Sequence, residues 1–570
     1  MKSNFERRVR FLYVILFLVA LLCVGRLYFL QIVYGDTYRE KANSEIFNGS
    51  PPIFSRGTIY YSGKNNELAS AATLMSGHIL SINPSLLPEA NEVYEKLSAI
   101  VPLDKDIFLK KASRLGDPYE ELARRLGENE TKKIADLKIK GVGLYKEQWR
   151  VYPSDNLASH IIGFVGYNGD SIEGRYGLER YYDDNLKKED RGSEKNFFVE
   201  IFSNAEKFKK GGGELEADIV TTIDPASERM LEEELEKVSE EFGSKISGGI
   251  IMNPVTGEII AAAVNPDFNP NKYGEEKNVS VFSNSLVEGV YEMGSIVKPL
   301  TVAAGIDSHL FTASTTYRDE GFLKVGNRTI YNFDKVGRGV VSMQEVLSQS
   351  LNTGVATIAL KMGKKKFEHY IREFGLGDET GVDLPSEAAG LLKNLEKGGD
   401  VELANASFGQ GIAVTPIAMT RALSALGNGG FLPNPHVVKE IKYDLGFSKK
   451  IVVTPEEMKR VISKETSEEI TRMLVEVVDK ALKGGTVKME HYSVAAKTGT
   501  AQIANKEGGG YYPDRYLHSF FGYFPAYDPK FIIFLYTVEP NADYASNTLT
   551  IPFINIVKFL INYYEIPPDR

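Results

Sequence analysis

The chain has 570 residues, 43% hydrophobic and 25% charged, which is typical of a globular protein with two or three domains. Its net charge of −9 argues against a nucleic-acid partner, because phosphate binding needs a basic face. The single cysteine, Cys23, excludes an intramolecular disulfide, and the seven histidines show no His-Glu-x-x-His spacing. We therefore expect neither a metal nor a cofactor.

The N-terminus carries the clearest topological signal. Basic residues up to Arg10 precede an unbroken apolar run over 11–25, and beyond Arg26 the apolar pattern continues to Tyr34. Residues 11–34 are long enough for a membrane helix, which needs roughly 20 residues. A cleaved signal peptide is the alternative because the unbroken run is short, but no small-x-small cleavage site follows it. We expect one signal anchor in the cell membrane, a cytoplasmic N-terminus and an extracytoplasmic remainder.

Residues 36–217 are polar and of mixed pattern, and they predict a mixed α/β module. Charge-rich helical patterns cover 89–100 and 118–138, and 160–166 is typical of a buried strand. The Gly- and Lys-rich segment 207–214 indicates a domain boundary at about residues 215–217.

The second half, 218–570, is more regular. Its turn residues 253–257 separate two apolar runs and predict a β-hairpin. Further strands are predicted at 218–223, 497–503, 518–524 and 531–538. Helices are predicted at 226–242, after Ser295, and at 342–362, 416–426, 467–482 and 551–564. Strands at both ends with helices between them predict an α+β domain, in which helices pack on one antiparallel sheet.

The first chemical motif is Gly294-Ser295-Ile296-Val297-Lys298, at the predicted start of a helix. Residues three apart share a helix face, so the Ser295 hydroxyl and the Lys298 amine can meet. A serine needs a base to become a nucleophile, and a desolvated lysine can be that base. Taken alone, Ser295 is better explained as a helix N-cap.

Two further motifs follow in the same half of the chain. They are Ser350-Leu351-Asn352 and Lys497-Thr498-Gly499-Thr500, which contains the only Lys-Thr-Gly. Ser-x-x-Lys, Ser-x-Asn and Lys-Thr-Gly in this order are the signature of penicillin-binding proteins and class A β-lactamases. The literal Ser154-Asp155-Asn156 precedes the first motif, as does Ser81-Ile82-Asn83, so we interpret both as chance matches. As isolated features, Lys497 would be an edge-strand lysine, and Ser350 and Asn352 turn residues.

With these motifs in order, the chain resembles a class B penicillin-binding protein, a peptidoglycan D,D-transpeptidase, more of the division type than of the elongation type. The resemblance covers nearly the whole chain. Its other landmarks are Arg26-Leu27, Gly35-Asp36, Arg56-Gly57, Leu68-Ala69, His160, Gly163-Phe164-Val165-Gly166, Gly177-Leu178-Glu179, Thr222-Ile223-Asp224-Pro225, Gly409-Gln410-Gly411, Thr415-Pro416 and Thr500-Ala501-Gln502. The chain departs from the family at Met293, where proline is frequent before Gly-Ser, at Leu351, and at Ser62-Gly63, where an Asp-Arg-Asn-Gly-like turn is common.

The resemblance implies an α+β multidomain protein. Its parts would be a cytoplasmic tail and transmembrane signal anchor over 1–35, a pedestal (dimerisation-like) module over 36–217, and a penicillin-binding, β-lactamase-like transpeptidase domain over 218–570. It also implies roles for three residues. Ser295 would attack the penultimate D-Ala carbonyl of a stem peptide, Lys298 would take the serine proton, and Ser350 would relay a proton to the departing D-Ala.

The same resemblance implies how substrate is held. Asn352 would bind the substrate amide, while Lys497, Thr498 and Thr500 would bind the terminal carboxylate, and Gly499 would let a substrate strand approach. The backbone N–H groups of Ser295 and Thr500 would form the oxyanion hole. The acceptor would be an amine of a second stem peptide, and β-lactams would acylate Ser295. A membrane glycosyltransferase and other cell-wall synthesis proteins are the implied partners.

Three other functions stay open at this point. A D,D-carboxypeptidase or a β-lactam-hydrolysing or -sensing protein would use the same acylation with water as acceptor. A non-catalytic scaffold would use the N-terminal module to bind a glycosyltransferase. The long module before the motifs argues against a stand-alone hydrolase, and the intact motifs argue against an inactive scaffold.

Overall fold

The computed structural model describes residues 54–169, 171–188, 216–443, 448–451, 458–505 and 508–570. The predicted anchor at 1–35, with Arg26 and Gly35, and the segment 207–214 lie outside this part. Within the described residues, no helix is long and apolar enough to cross a bilayer. The described residues form two compact units: one contains 54–55 and 74–149, and the other contains the rest of the described chain. The predicted boundary at 217 stays a prediction.

The strands are numbered in chain order. They are β1 Ile59–Ser62, β2 Leu68–Ile82, β3 Glu120–Leu126, β4 Val142–Val151, β5 Val165–Asn168, β6 Ser171–Gly174, β7 Ala217–Thr221, β8 Ile246–Met252, β9 Ile259–Asn265, β10 Thr316–Asp319, β11 Phe322–Val325, β12 Arg328–Tyr331, β13 Gly339–Ser342, β14 Phe431–Leu432, β15 Val438–Tyr443, β16 Ser448–Lys450, β17 Lys459–Arg460, β18 Ala495–Ala504, β19 Tyr511–Phe524 and β20 Phe531–Val538.

The α-helices are numbered in the same way. They are α1 Ala90–Ser98, α2 Lys105–Ala112, α3 Glu128–Asp136, α4 Ser159–Ile162, α5 Gly177–Tyr181, α6 Asp183–Leu186, α7 Pro225–Phe242, α8 Lys298–Asp307, α9 Met343–Ser348, α10 Asn352–Met362, α11 Lys364–Glu373, α12 Lys393–Lys397, α13 Asp400–Ala406, α14 Pro416–Ser424, α15 Lys464–Glu476, α16 Ala545–Thr548 and α17 Thr550–Tyr563.

In the smaller unit, α1 and α2 share a core with the end of β2 and with β3, built from residues such as Leu80, Leu97 and Phe108. The predicted helix over 89–100 is confirmed as α1. The predicted helix over 118–138 is wrong in its first half, because β3 occupies it and pairs with β2. Backbone pairing across the sheet overrides the helix propensity of this Glu-, Leu- and Arg-rich stretch. Helix α3 begins only after Gly127, whose N–H donates to the Glu130 side chain at 2.9 Å.

In the larger unit, residues 160–166 are not the predicted strand. Helix α4 covers the first of them and ends at Ile162, and Gly163, which follows it, has φ +73°. A Cβ on Gly163 would lie 1.9 Å from the Tyr176 carbonyl oxygen, so the chain turns there in close contact with another segment. Only after this turn does β5 begin, paired with β6.

Several landmarks of the resemblance meet in one buried ion cluster. The Glu179 carboxylate accepts the Arg56 Nε at 2.5 Å and the Arg150 Nε at 2.6 Å, and Tyr152 OH donates to it at 3.2 Å. Arg56 also reaches Asp183 at 2.8 Å. The cluster ties β1, Arg150 and the α5–α6 region of the larger unit together, since its charges are satisfied only when all of these are in place.

The main sheet of the larger unit is antiparallel, with strand order β18-β19-β20-β8-β9. It confirms the hairpin predicted around 253–257 and the strands predicted at 497–503, 518–524 and 531–538. Helices α7 and α17 cover one face of this sheet, where Leu231 of α7 and Phe553 of α17 share a core with Ile251 of β8 and Ile533 of β20. The helices predicted at 226–242 and 551–564 are thereby confirmed. The strand predicted at 218–223 forms as β7 but belongs to a second sheet, between β1 and β15. Strand β18 lies at the edge of the main sheet.

Candidate active site

Ser295 lies in a short 3₁₀ turn, Gly294–Val297, that leads directly into α8. The Lys298 N–H donates to the Ser295 carbonyl, and Pro299 occupies the first turn of the helix, where no N–H is needed. The Ser295 side chain is half-buried, whereas Lys298 is 1% exposed. The turn therefore leaves the Ser295 hydroxyl partly exposed, while the Lys298 amine that follows it is buried.

Two glycines, Gly294 and Gly409, allow this turn to pack closely against neighbouring backbone. Gly294 has φ +63°, and a Cβ on it would lie 2.8 Å from the Thr500 carbonyl oxygen. Gly409 has φ +80° and accepts the Gly294 N–H at its carbonyl at 3.3 Å. A side chain on Gly294 would press on the strand that carries the third motif, and a side chain on Gly409 would press on the backbone of Gly294.

Gly499 packs inward against the same turn. A Cβ there would lie 2.4 Å from Ser519 Oγ and 2.7 Å from the Met293 carbonyl oxygen. This position therefore needs glycine for internal packing, and not only for the approach of a substrate strand. Met293, where the family often has proline, is buried, and its carbonyl accepts the Ser519 hydroxyl at 2.8 Å. This hydrogen bond to β19 fixes the backbone at Met293, the position where the chain differs from the family.

The second motif interrupts the helix predicted over 342–362. Helix α9 ends at Ser348 and α10 begins at Asn352, and between them Ser350 has φ +56°. A non-glycine residue in this left-handed region costs about 1–3 kcal/mol, which the surrounding structure must offset. Leu351 is fully buried, so the apolar middle residue of the motif anchors the break in the core.

The break brings Ser350 between the two lysines. Lys298 Nζ donates to the Ser350 carbonyl at 2.5 Å and lies 3.1 Å from its Oγ. Lys497 Nζ also lies 3.1 Å from Ser350 Oγ and donates to the Thr498 carbonyl at 3.0 Å. One side chain from each of the three motifs therefore meets at the Ser350 hydroxyl.

Burial sets the electrostatics of this junction. Desolvation, and then the positive charge of Lys497, lower the pKa of the Lys298 amine well below its usual value. Desolvation also lowers the pKa of Lys497, to about 8. Lys298 is thus suited to accept a proton, while Lys497 remains largely charged at neutral pH and can attract an anion.

The other predicted site residues flank this junction. Asn352 and Thr498 are half-buried, and Asn352 Nδ2 donates to the Tyr331 carbonyl at 2.9 Å. Thr500 Oγ1 accepts the Ala545 N–H at 3.1 Å, which leaves its own hydroxyl proton free to be donated to a carboxylate. The eight predicted residues lie on three short segments: the Ser295 turn with the first residue of α8, the α9–α10 break with the first residue of α10, and β18.

The chance matches lie elsewhere. Asn156 Nδ2 bonds to Asp267, and Asn83 caps a short turn at Ser85. Sequence reasoning missed Asp319 and Asn332, which are buried and bond to Thr353, the residue that follows Asn352. No local pattern marks them, because their partners are 34 and 21 residues away in the chain.

Two family models match the chain. Residues 248–557 match the penicillin binding protein transpeptidase domain, and residues 54–197 match the penicillin-binding protein dimerisation domain. Stage V sporulation protein D of Bacillus subtilis is 31% identical over 100% of this chain and 88% of that protein. A probable peptidoglycan D,D-transpeptidase PenA of Neisseria meningitidis is 26% identical over 96% of this chain and 91% of that protein.

Solved structures share the fold. Penicillin binding protein 2X of Streptococcus thermophilus superposes with a TM-score of 0.75 at 21% identity, covering 91% of this chain and 81% of that chain. Penicillin binding protein 3 of Mycobacterium tuberculosis, in complex with aztreonam, gives 0.69 at 22% identity, covering 92% and 98%. The family models, the relative at 31% identity and the order of the three motifs lead to one conclusion: the chain belongs to the class B penicillin-binding proteins.

Proposed function

We propose that this protein is a peptidoglycan D,D-transpeptidase that cross-links stem peptides through an acyl-enzyme on Ser295. The observation that carries the proposal is the position of Ser350 Oγ, 3.1 Å from both Lys298 Nζ and Lys497 Nζ. The junction joins a nucleophile turn, a buried amine of lowered pKa and a second buried amine that can hold an anion.

Acylation begins when the Ser295 oxygen attacks the carbonyl carbon of the penultimate D-Ala. The proton of the hydroxyl passes to neutral Lys298, so the nucleophile forms without leaving an alkoxide in a buried site. The new C–O bond creates a tetrahedral oxyanion, for which the N–H groups of Ser295 and Thr500 are the proposed donors. Losing one such donor typically costs about 10²–10³ in rate.

Collapse of the intermediate breaks the amide bond to the terminal D-Ala. The departing amine needs a proton, and Ser350, in contact with Lys298, can relay it from that lysine to the amine nitrogen. Lys298 is then neutral again. An amine of a second stem peptide attacks the ester, its proton passes back through the same groups, and Ser295 is released with a new peptide cross-link.

Substrate binding completes the scheme. The terminal carboxylate would bind to the Lys497 charge and the Thr498 and Thr500 hydroxyls, and Asn352 would hold the peptide amide. Thr500 supports this role because its oxygen already accepts a backbone N–H, so its proton is directed toward another acceptor. β-Lactams, which mimic D-Ala-D-Ala, would acylate the same serine.

Labelling with a fluorescent penicillin tests the nucleophile. Intact mass should show one adduct on the wild-type protein and none on Ser295→Ala. An unlabelled wild-type protein, or a mutant that labels equally, would refute the assignment, and the first outcome would favour the scaffold alternative.

The acceptor is tested separately with a D-Ala-D-Ala-like thioester donor. Adding a D-amino acid amine should divert the acyl group into an amide product in proportion to amine concentration. Only hydrolysis, at every amine concentration, would point to the carboxypeptidase or β-lactam-hydrolase alternative.

We further propose the cellular setting. Residues 1–35 would form the cytoplasmic tail and membrane anchor, 36–217 the pedestal and 218–570 the extracytoplasmic catalytic domain, in a division-type enzyme. The apolar run at 11–34 supports the anchor. A membrane glycosyltransferase would supply the strands to be cross-linked. Protease treatment of intact protoplasts should digest the catalytic domain and leave an N-terminal epitope, and protection of the whole chain would refute this topology.

A further inference from the structure

A buried polar scaffold lies behind the second motif, and the mechanism above does not use it. Its hub is Asp319, at the end of β10 and 2% exposed. Its carboxylate accepts hydrogen bonds from Gly321 N at 3.1 Å, Arg338 N at 3.0 Å, Asn332 Nδ2 at 3.0 and 3.1 Å, and Thr353 Oγ1 at 2.8 Å. All of these partners are donors, so both carboxylate oxygens of Asp319 act as acceptors, and each accepts from more than one group.

One arm of the scaffold reaches the C-terminal side of the motif. Asn332 Oδ1 accepts the Thr353 N–H at 3.2 Å and lies 3.1 Å from the Thr353 hydroxyl. The adjacent Tyr331 carbonyl accepts Asn352 Nδ2 at 2.9 Å. The first residues of α10 are therefore held by β12 and by the hub.

The other arm reaches the N-terminal side. Arg338, whose N–H donates to Asp319, also donates its Nε to Gln349 Oε1 at 3.0 Å. Gln349 directly precedes Ser350. The segment β10–β13 thus holds the residues on both sides of Ser350-Leu351-Asn352, while Ser350 itself is in the left-handed conformation.

We propose that Asp319 is a positioning residue of the transpeptidase reaction: through Asn332, Thr353, Arg338 and Gln349 it keeps the Ser350 turn between the two lysines. This inference rests on the proposed function, because it assigns Asp319 to the same site. Asp319 makes no hydrogen bond to Ser350, so its effect is transmitted through the residues on both sides of the turn. A shift of about 1 Å at a reacting group can cost roughly 10²-fold in rate.

Asp319→Asn is the sharpest variant. It keeps the shape of the side chain but converts one acceptor oxygen into a donor, and each oxygen accepts at least two hydrogen bonds. Thr353→Val removes one of these bonds without changing size. The double variant Asp319→Asn with Asn332→Asp reverses donor and acceptor between those two side chains and should restore part of the lost rate.

Asp383→Asn is the matched control. Asp383 is also buried and accepts the Val437 and Val438 N–H groups at 2.7 and 2.9 Å, but these lie on the segment that enters β15. Its loss should lower stability without slowing acylation of the folded protein. The control separates loss of stability from loss of positioning.

The experiment measures the second-order rate constant for acylation of the full chain by a fluorescent penicillin, over about pH 5 to 10, together with thermal melting. We expect Asp319→Asn to acylate about 10- to 100-fold more slowly than wild type and Thr353→Val less severely. In both variants the rise of the acylation rate with pH should occur at higher pH than in wild type. A loosened turn admits water to Lys298 and brings its pKa back toward the usual value. Asp383→Asn should retain the wild-type rate and profile.

Two results would overturn the inference. The first is that both Asp319→Asn and Thr353→Val acylate at the wild-type rate. The second is that Asp319→Asn loses no more acylation rate than Asp383→Asn does and keeps the wild-type pH profile. If Asp319→Asn does not fold, the comparison of Thr353→Val with wild type decides. An unlabelled wild-type protein would instead refute the proposed function, so the two failures are distinct.

Discussion

Lys298 and Ser350 are joined twice, through the Ser350 carbonyl at 2.5 Å and its hydroxyl at 3.1 Å from the same Nζ. The first bond gives the amine a structural task, since it satisfies the carbonyl of Ser350, which is itself in the left-handed conformation. The second bond gives it a chemical task, because it connects the proposed base to the proposed proton relay. The two tasks can be measured separately, one as stability and the other as acylation rate.

Lys298→Met tests this separation. Methionine keeps the length of the side chain but removes the base, so penicillin acylation should fall by about 10²–10⁴-fold. Stability should change little, because the lost hydrogen bond to the Ser350 carbonyl, about 1–3 kcal/mol, is offset by removal of a buried amine. Stopped-flow labelling and urea unfolding measure the two effects. Acylation at the wild-type rate would contradict the role of Lys298 as base.

The pH profile of acylation should have two limbs. The acid limb belongs to Lys298, which must be neutral to accept a proton and is neutral at unusually low pH because its pKa is lowered. The alkaline limb belongs to Lys497: above its pKa of about 8 it loses the charge that binds the substrate carboxylate. In Lys497→Arg, which stays charged, the alkaline limb should move up in pH. An alkaline limb unchanged in this variant would show that another group causes it.

Gly294→Ala should slow acylation because the added methyl group would displace the turn that carries Ser295. Alanine at φ +63° is strained by about 1–2 kcal/mol, and its Cβ would also press on the Thr500 carbonyl oxygen. Gly381→Ala is the matched control, because Gly381 has φ +77° but an added Cβ meets no atom within 4 Å. Both variants should melt earlier, and only Gly294→Ala should acylate more slowly. Equal rates in the two variants would argue against a fitted nucleophile turn.

Glu179→Gln should destabilise the larger unit by about 3–5 kcal/mol. The substitution removes the negative charge that compensates the buried guanidinium groups of Arg56 and Arg150. Burial opposes ionisation of Glu179, but the two arginines outweigh it and keep its pKa below the usual value. The stability it contributes is therefore present at neutral pH and lost as pH falls through that lowered pKa. Urea unfolding at pH 7 and at acid pH measures both effects.

The control for that experiment is Glu469→Gln. Glu469 pairs with Arg472 at 2.9 Å on the surface, and such a pair contributes at most about 1 kcal/mol. The Glu179→Gln protein that remains folded should be acylated by penicillin at the wild-type rate. Destabilisation no greater than that of Glu469→Gln would show that the buried cluster contributes little to the stability of the fold.

The amino-acid sequence determined what short-range physics can specify. The three-residue spacing of Ser295 and Lys298 places both on one side of a turn, and the apolar runs of β8, β9, β19 and β20 predict the strands of a buried sheet. The three motifs in order, together with the landmarks of the N-terminal module, were sufficient to recognise the resemblance to the family. These features depend on residues close together in the chain, so they can be read without coordinates.

Only the tertiary structure decided how the motifs meet. The α9–α10 break at Ser350 lies within a helical pattern, and it is held by Asp319, whose partners are distant in the chain. Strand β3 replaced a predicted helix because pairing with β2 outweighed local propensity. The lowered pKa of Lys298 required burial and a second lysine contributed by β18. Desolvation, close packing and hydrogen bonds between distant segments depend on the complete fold. The sequence therefore predicted the site residues, and only the three-dimensional structure showed the burial and the lowered pKa of the two lysines.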